Sequence, residues 1–384
     1  MFIVLISRGV PSKRDPQWGC FEKDQAEALK AIGHKVVVIS VDSRFRFYWR
    51  KLGISHYCLN NIDYYDCFVF PEVFVCKLFG KIINLPLKKM QLKRLFNRVI
   101  QRYGRPDILY SHYLPNSFAA ISLKKMYNLP LVAIEHWSQL NKDTLSDYVF
   151  WLGRSTYPDC NAVISVSESL KMRLSQHFQI DSVVVHNMVG TEFDSDSPKG
   201  STDGKIRFVS TGSLVHRKGY DLLIAAFDRL KLPLDKWELA ILGEGKERAN
   251  LERQIDRVGL KNNIHLLGRK GKKEINSILC NSDVFVLPSR NENLSVAVLE
   301  ALCVGLPVIA SICGGIRECV DVSNGLLFPV DDIDSLAAAI KEMYKSQNTY
   351  DRKKISVDSY ARFSPEVIAC QLNNIFQKVK KNSI

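Results

Sequence analysis

Two glutamates eight positions apart, Glu292 and Glu300, flank a predicted helix start in the stretch 288–307. Carboxylates at such a place can accept hydrogen bonds from the hydroxyl groups of a polyol. A second stretch, 212–219, reads Gly-Ser-Leu-Val-His-Arg-Lys-Gly and runs into another predicted helix. Arg217 and Lys218 at a helix N-terminus suit a phosphate group, because both the side chains and the helix end attract anions. The loop lacks the Gly-x4-Gly-Lys-Ser/Thr order of a Walker motif. His112 and His136 close two successive predicted strands, where an imidazole can move a proton or simply fill the core. No Gly-x-Ser-x-Gly or Cys/His arrangement surrounds them, which argues against a hydrolase.

The elements that must position these groups are legible. Residues 283–287 and 307–310 are β-branched runs of strand type, and between them lies a helix with Asn293 or Ser295 as N-cap and Gly305 before Pro307 as its stop. Strand, helix and strand make a βαβ unit, whose ligands collect where strands end, so Glu292 belongs to a site loop. The helix is apolar on nearly every side and is expected to be buried, so Glu300 needs a partner: Arg290, Arg317 or ligand hydroxyls. Upstream, a strand at 2–6, a glycine-bearing loop at 7–19, a helix at 20–32 and a strand at 35–41 open a doubly wound domain. Strands at 105–110 and 130–134 lead to the two histidines, and a Pro/Gly/Ser-rich linker follows at 191–204. A second strand–helix series starts at 206, and the last helix spans about 365–380.

Composition narrows the class. A chain of 384 residues accommodates two to three domains, and its apolar content is that of a globular protein. The run at 2–6 is too short for a signal segment, and no stretch of about 20 apolar residues exists to span a bilayer. Ten cysteines without metal-binding spacing suggest reduced thiols and a cytoplasmic setting. The net charge of +13 is concentrated: thirteen Lys and Arg against three acids lie between Ser43 and Arg105, beside Phe45, Phe47, Tyr48, Trp49, Phe68, Phe70, Phe74 and Phe79. Basic plus aromatic suggests an anionic membrane surface, then nucleic acid, or merely a solvated basic face. No nucleic-acid-binding module is recognisable, so nucleic acid is not expected as a partner.

Glu292-x7-Glu300, set in Pro-Ser-Arg-Asn-Glu…Val-Leu-Glu-Ala…Gly-Leu-Pro-Val-Ile-Ala, resembles the signature of retaining glycosyltransferases of family 4. The resemblance implies the GT-B fold, an α/β architecture of two doubly wound parallel-sheet (Rossmann-like) domains facing a central cleft. The expected division is 1–190, linker 191–204, nucleotide-sugar domain 205–362, and a helix at 363–384 crossing back to the first domain. By the same resemblance Glu292 meets the donor sugar, Glu300 the ribose, and Lys218 the diphosphate. His112 and His136 serve the sugar and acceptor, while Gly19, Ser213, Arg217, Gly243, Arg269, Asn293, Leu294 and Ser295 line the donor. Three departures stand out: Asn293-Leu294-Ser295 replaces the usual Gly-Phe-Gly, Gly19-Cys20 replaces a Gly-Gly pair, and Ser213 occupies a usual arginine position. Arg217 could supply that missing charge.

The implied activity is transfer of a sugar from a UDP- or GDP-sugar to a glycan or lipid-linked acceptor in cell-surface polysaccharide (capsule or lipopolysaccharide) synthesis. No cofactor and no metal are expected, because no Asp-x-Asp stands at a strand end. The expected location is the cytoplasm, with peripheral attachment to the inner face of the plasma membrane through Ser43–Arg105. A nucleotide-sugar epimerase on the same scaffold and a basic nucleic-acid-binding protein are the alternatives.

Overall fold

The computed structural model describes residues 1–12, 18–44, 51–69, 77–194, 200–201 and 204–383, with backbone only for 77–84. The chain forms two compact units. One comprises Met1–Val166, Lys171–Val185 and Pro365–Ile384, and the other Ser167–Leu170 and His186–Ser364.

In the first unit, β1 (Phe2–Ser7), α1 (Cys20–Ala31) and β2 (Lys35–Asp42) are followed by β3 (Gly53–Leu59), β4 (Ile62–Phe68), α2 (Lys77–Tyr103), β5 (Ile108–His112), α3 (Leu114–Tyr127), β6 (Leu131–Glu135), α4 (Asp147–Arg154), β7 (Ala162–Ser165), α5 (Glu168–Phe178, whose start up to Leu170 belongs to the second unit) and β8 (Val183–Val184). The strands line up as β3-β4-β2-β1-β5-β6-β7-β8. Every pairing is parallel except the β3–β4 hairpin. β1, β5 and β6 are buried throughout, as expected of strands covered on both faces. The direction of strand order reverses between β1 and β5, so the loops leaving these two strands bound a crevice.

The β3–β4 hairpin was not foreseen from the sequence. Its turn is Asn60-Asn61, both with positive φ (52° and 56°), a conformation asparagine tolerates and two-residue hairpins require. The charged and aromatic character of this region masked that signal. Much of the basic, aromatic stretch itself, including Phe45, Phe47, Tyr48, Trp49, Phe70 and Phe74, lies outside the described residues.

The second unit holds β9 (Ile206–Thr211), α6 (Tyr220–Leu230), β10 (Trp237–Leu242), α7 (Arg248–Arg257), β11 (Ile264–Gly268), α8 (Lys272–Cys280), β12 (Val284–Leu287), α9 (Val296–Cys303), β13 (Val308–Ser311), β14 (Gly325–Phe328), α10 (Ile333–Ser346) and α11 (Arg352–Phe363). The final helix, α12 (Pro365–Lys381), belongs to the first unit, with Phe376 against Tyr110 and Lys380 paired to Asp107 at 2.7 Å. The sheet order β11-β10-β9-β12-β13-β14 is parallel throughout and reverses between β9 and β12. Phe208, Phe227 and Trp237 anchor its core, the last two stacked at 4.5 Å.

The boundary falls between Val185 and His186, ahead of the expected 190/191. The turn at 186–189 is tied into the second unit. The His186 ring lies 3.1 Å from Glu318, the Asn187 amide donates to the Leu294 carbonyl (2.9 Å), and Val189 N–H donates to Phe363 O (2.9 Å). These polar links outweigh the Pro/Gly/Ser composition that suggested a later break. The nine described cysteines are free thiols.

Candidate functional site

The reversal point of the second sheet gathers the loops after β9 and β12, and with them Arg217, Lys218 and Glu292. Glycines let these loops approach closely. A Cβ on Gly219 (φ 68°) would meet the Pro288 carbonyl at 1.9 Å, and one on Gly243 would meet the Gly212 carbonyl at 1.8 Å. The β10 loop is further held by Gly243 N–H to Gly268 O (2.8 Å) and Leu214 N–H to Glu244 O (3.0 Å). Ser213 and Arg269 are both exposed beside these loops.

At the centre, the Lys218 ammonium donates to Glu292 Oε1 at 2.7 Å, with both side chains about nine-tenths buried. Arg217 reaches the same oxygen at 3.3 Å and donates to Asn291 O at 2.6 Å. Burial pushes the Glu292 carboxyl up, but Lys218 and then Arg217 outweigh it and hold the group below the ordinary carboxylate value. Glu292 is therefore ionised at neutral pH. The backbone beneath it is clamped: a Cβ on Gly314 (φ 55°) would meet Glu292 O at 1.9 Å, and Gly315 N–H donates to Asn293 O at 2.7 Å.

Asn293, Leu294 and Ser295 are buried and lead into α9. Ser295 is the N-cap by backbone position, yet its side chain makes no capping hydrogen bond among the described residues. The Ser295 hydroxyl is buried without a partner among the described residues. An uncapped helix start beside a buried lysine is a place where an anion would be held. The expectation of a fully buried α9 needs correction, since Val296, Ala297 and Glu300 are only half-buried. The Glu300 side chain therefore meets water on one side. Arg290, proposed as its partner, is engaged by Asp221 (2.7 Å) and Asp331 (2.6 Å) instead. That arginine network, which also includes Arg290 N–H to Arg217 O (2.8 Å), fixes the Arg217–Lys218 loop and was not anticipated, since its partners lie 69 and 41 residues away.

Gly19, His112 and His136 belong to the first unit. Gly19 (φ 78°) caps α1, and a Cβ there would meet Gly9 O at 2.2 Å, so the glycine has a packing reason of its own. His112 and His136 stack in parallel, 5.4 Å apart. His112 is fully buried, and neither of its ring nitrogens has a hydrogen-bond partner among the described residues. Burial, then His136 and Arg8, keep its pKa well below the ordinary value, so the ring is neutral and able both to donate and to accept. The next residue, Tyr113, adopts φ 69° and ψ 137°, a strained conformation for an aromatic residue. Its ring faces the Arg8 guanidinium at 3.9 Å, while Arg8 pairs with buried Glu22 at 2.9 Å. Sequence reasoning missed Arg8 and Tyr113, whose only signal was their place beside strand ends, and Glu22 in the first turn of α1.

Glu135, ending β6, is fully buried, and its carboxyl is pushed up to about 8 by burial, against weaker pulls from the Leu114 N–H and the Tyr157 hydroxyl. The folded chain thus keeps this proton over a range in which the unfolded chain, titrating near 4.5, loses it. Stability should fall as pH rises from about 4.5 to about 8. Glu135→Gln is expected to flatten that slope and to melt several degrees above the parent at pH 8, measured by thermal unfolding at pH 5.5 and 8. Identical slopes for parent and variant would refute a protonated Glu135.

Residues 192–358 match the family described as Glycosyl transferases group 1, and residues 23–193 match Glycosyltransferase Family 4. An uncharacterized glycosyltransferase of Methanocaldococcus jannaschii is 28% identical over 63% of this chain and 66% of its own length. A Bacillus subtilis protein named for teichuronic acid biosynthesis is 24% identical over the whole of both chains. Among solved structures, sucrose-phosphate synthase from Thermosynechococcus elongatus superposes with a TM-score of 0.80 at 18% identity, covering all of both chains. Anabaena HepE, in complex with UDP and glucose, gives 0.72 at 17% identity over 98% of this chain and 100% of its own. The two parallel-sheet units are those of the GT-B fold.

Proposed function

The chain is a member of glycosyltransferase family 4, and from that membership we propose that it is a retaining, metal-independent hexosyltransferase. It would move a sugar from a UDP- or GDP-sugar onto a glycan or lipid-linked acceptor in cell-surface polysaccharide synthesis. The observation that carries this reading is the buried Lys218–Glu292 pair, joined by Arg217, next to the uncapped start of α9. A diphosphate arriving there meets two cations and a helix N-terminus, and it can draw Lys218 away from Glu292. The released carboxylate can then accept from sugar hydroxyls, so one rearrangement couples phosphate binding to sugar positioning. Glu300, half-buried one turn into α9, suits the ribose hydroxyls.

In the reaction the bond from the sugar's anomeric carbon to the diphosphate oxygen breaks. The acceptor oxygen bonds to that carbon on the same face, and the acceptor's proton passes to a leaving-phosphate oxygen. Negative charge grows on the diphosphate, where Lys218, Arg217 and the α9 N-terminus stabilise it more strongly than in the ground state. His112, neutral and without a hydrogen-bond partner among the described residues, is assigned to a hydroxyl of sugar or acceptor, with His136 supporting its ring. The protein works at the cytoplasmic face of the membrane. Attachment there would be peripheral; no helix among the described residues is long and apolar enough to cross a bilayer.

A thermal-shift panel of UDP-, GDP- and ADP-sugars, each with and without EDTA, tests this reading. One donor is expected to raise the melting temperature, and transfer from it should survive EDTA. Stabilisation by none of them would overturn the donor assignment, and loss of transfer restored by magnesium would overturn metal independence. Consumption of donor into an isomer without acceptor would make the protein an epimerase.

A further inference from the structure

One face of the first unit leaves bulky aromatic side chains in water. On α4 the core takes Val149, Leu152 and Gly153, while the adjacent Phe150 and Trp151 are 44% and 49% exposed. Neighbouring helices extend the patch. Phe118 of α3 and Tyr148 lie 5.4 and 6.3 Å from Trp151, ring to ring. The ammonium of Lys89, on α2, sits 4.0 Å over Phe118, and the Arg154 guanidinium 5.9 Å over Phe150. Rings and cations thus alternate across α2, α3 and α4. The connections β4–α2–β5, β5–α3–β6 and β6–α4–β7 all advance in one direction along the sheet, so right-handed crossovers put these three helices on the same side.

Charge selects the occupant. The 27 residues of α2 contain eight Lys and Arg and no acid. Lys93, Arg94, Arg98 and Arg102 are exposed on it. Two acids belong to this region: Asp147 opens α4, and Asp159 is held by Lys125 at 2.6 Å. A second copy of the chain on this face would bring the same positive helix against its own, whereas an anionic, fluid surface accepts both rings and cations.

We propose that this face docks on anionic bilayers, with Phe150 and Trp151 entering the headgroup boundary and Lys89, Arg154 and the α2 cations meeting lipid phosphates. The inference rests on the membrane attachment proposed above but not on the donor chemistry. Binding is measured without donor or acceptor, so its failure leaves the transferase reading standing, and the reverse holds equally.

Vesicles of phosphatidylcholine with about 30% phosphatidylglycerol test it by co-sedimentation, alongside neutral vesicles. The parent should bind the anionic vesicles, release in 1 M salt and ignore the neutral ones. Phe150→Ser with Trp151→Ser should bind about tenfold or more weakly, since the apolar area that enters the boundary is gone. Trp151→Phe keeps an aromatic and should bind like the parent, but should lose part of the tryptophan quenching produced by brominated lipid. That quenching difference decides the matter even if the double variant folds poorly. Parent-like binding by a folded double variant, quenching unchanged in Trp151→Phe, or no binding by the parent would each overturn the proposal.

Discussion

Replacing Glu292 with glutamine is expected to lower sugar transfer at least about a hundredfold while leaving the bare nucleoside diphosphate bound as tightly as before, or more tightly. The carboxylate is nine-tenths buried and is kept ionised by Lys218 and Arg217. Its loss removes a charged acceptor for sugar hydroxyls, an interaction of the size that costs about 10²–10³ in rate when it is realised in the transition state. The same change leaves Lys218 and Arg217 unopposed, and a diphosphate no longer has to displace a carboxylate from them. Glu300→Gln should behave oppositely, weakening the nucleotide itself by about 1–3 kcal/mol through loss of a charged hydrogen bond. Calorimetric titration with nucleoside diphosphate, paired with single-turnover rates, separates the two. If Glu292→Gln turns over like the parent, or if it loses nucleotide as Glu300→Gln should, the assignment of Glu292 to the sugar is wrong.

Lys218→Ala should be the most damaging single change to both stability and rate. It strands a buried carboxylate whose remaining cation, Arg217, sits at 3.3 Å and is half-exposed. Removing one member of a buried pair typically costs about 3–5 kcal/mol. Glu292 then loses the larger of the two charges that hold its carboxyl down, so its pKa should rise. In the parent the depressed pKa contributes stability that is complete above the ordinary value near 4.5 and is lost as pH falls below it. The variant should lose that acid-side dependence. Transfer should fall at least about a hundredfold, with donor KM rising, because phosphate charge grows towards the transition state. Arg217→Ala should lose less stability, since Arg217 is the more exposed partner, yet should show a clear loss in rate if it stands in for the arginine replaced by Ser213. The double change Lys218→Met with Glu292→Leu should recover the melting temperature without recovering transfer. A Lys218→Ala variant that melts with the parent would show that the pair is not a structural element.

How much of this was legible beforehand depends on the range over which each feature is determined. The sequence alone supplied the parallel α/β architecture, because buried strands and glycine-terminated helices leave periodic, local signals, as in 2–6, 284–287 and 296–305. It also supplied Glu292, Glu300 and Lys218 as chemically unusual residues for their settings. It overlooked the β3–β4 hairpin, where a usable Asn-Asn turn was overshadowed by surrounding charge, and it placed the boundary several residues late, since composition does not reveal which side of a linker a turn hydrogen-bonds to.

Pairings between distant residues were beyond it. Lys218 and Glu292 are 74 positions apart, and only the reversal of strand order between β9 and β12 makes them neighbours. The same is true of Arg290, whose choice of Asp221 and Asp331 over Glu300 depends on where the loops after β12 and β14 come to rest. Burial was likewise a tertiary decision: α9 is apolar enough in sequence to be covered all round, yet Val296, Ala297 and Glu300 are only half-buried in the fold. Residue type thus set which groups could do chemistry. The topology of the sheet set which of them meet, because hydrogen-bond and charge geometry act over a few ångströms, a scale that sequence separation does not encode.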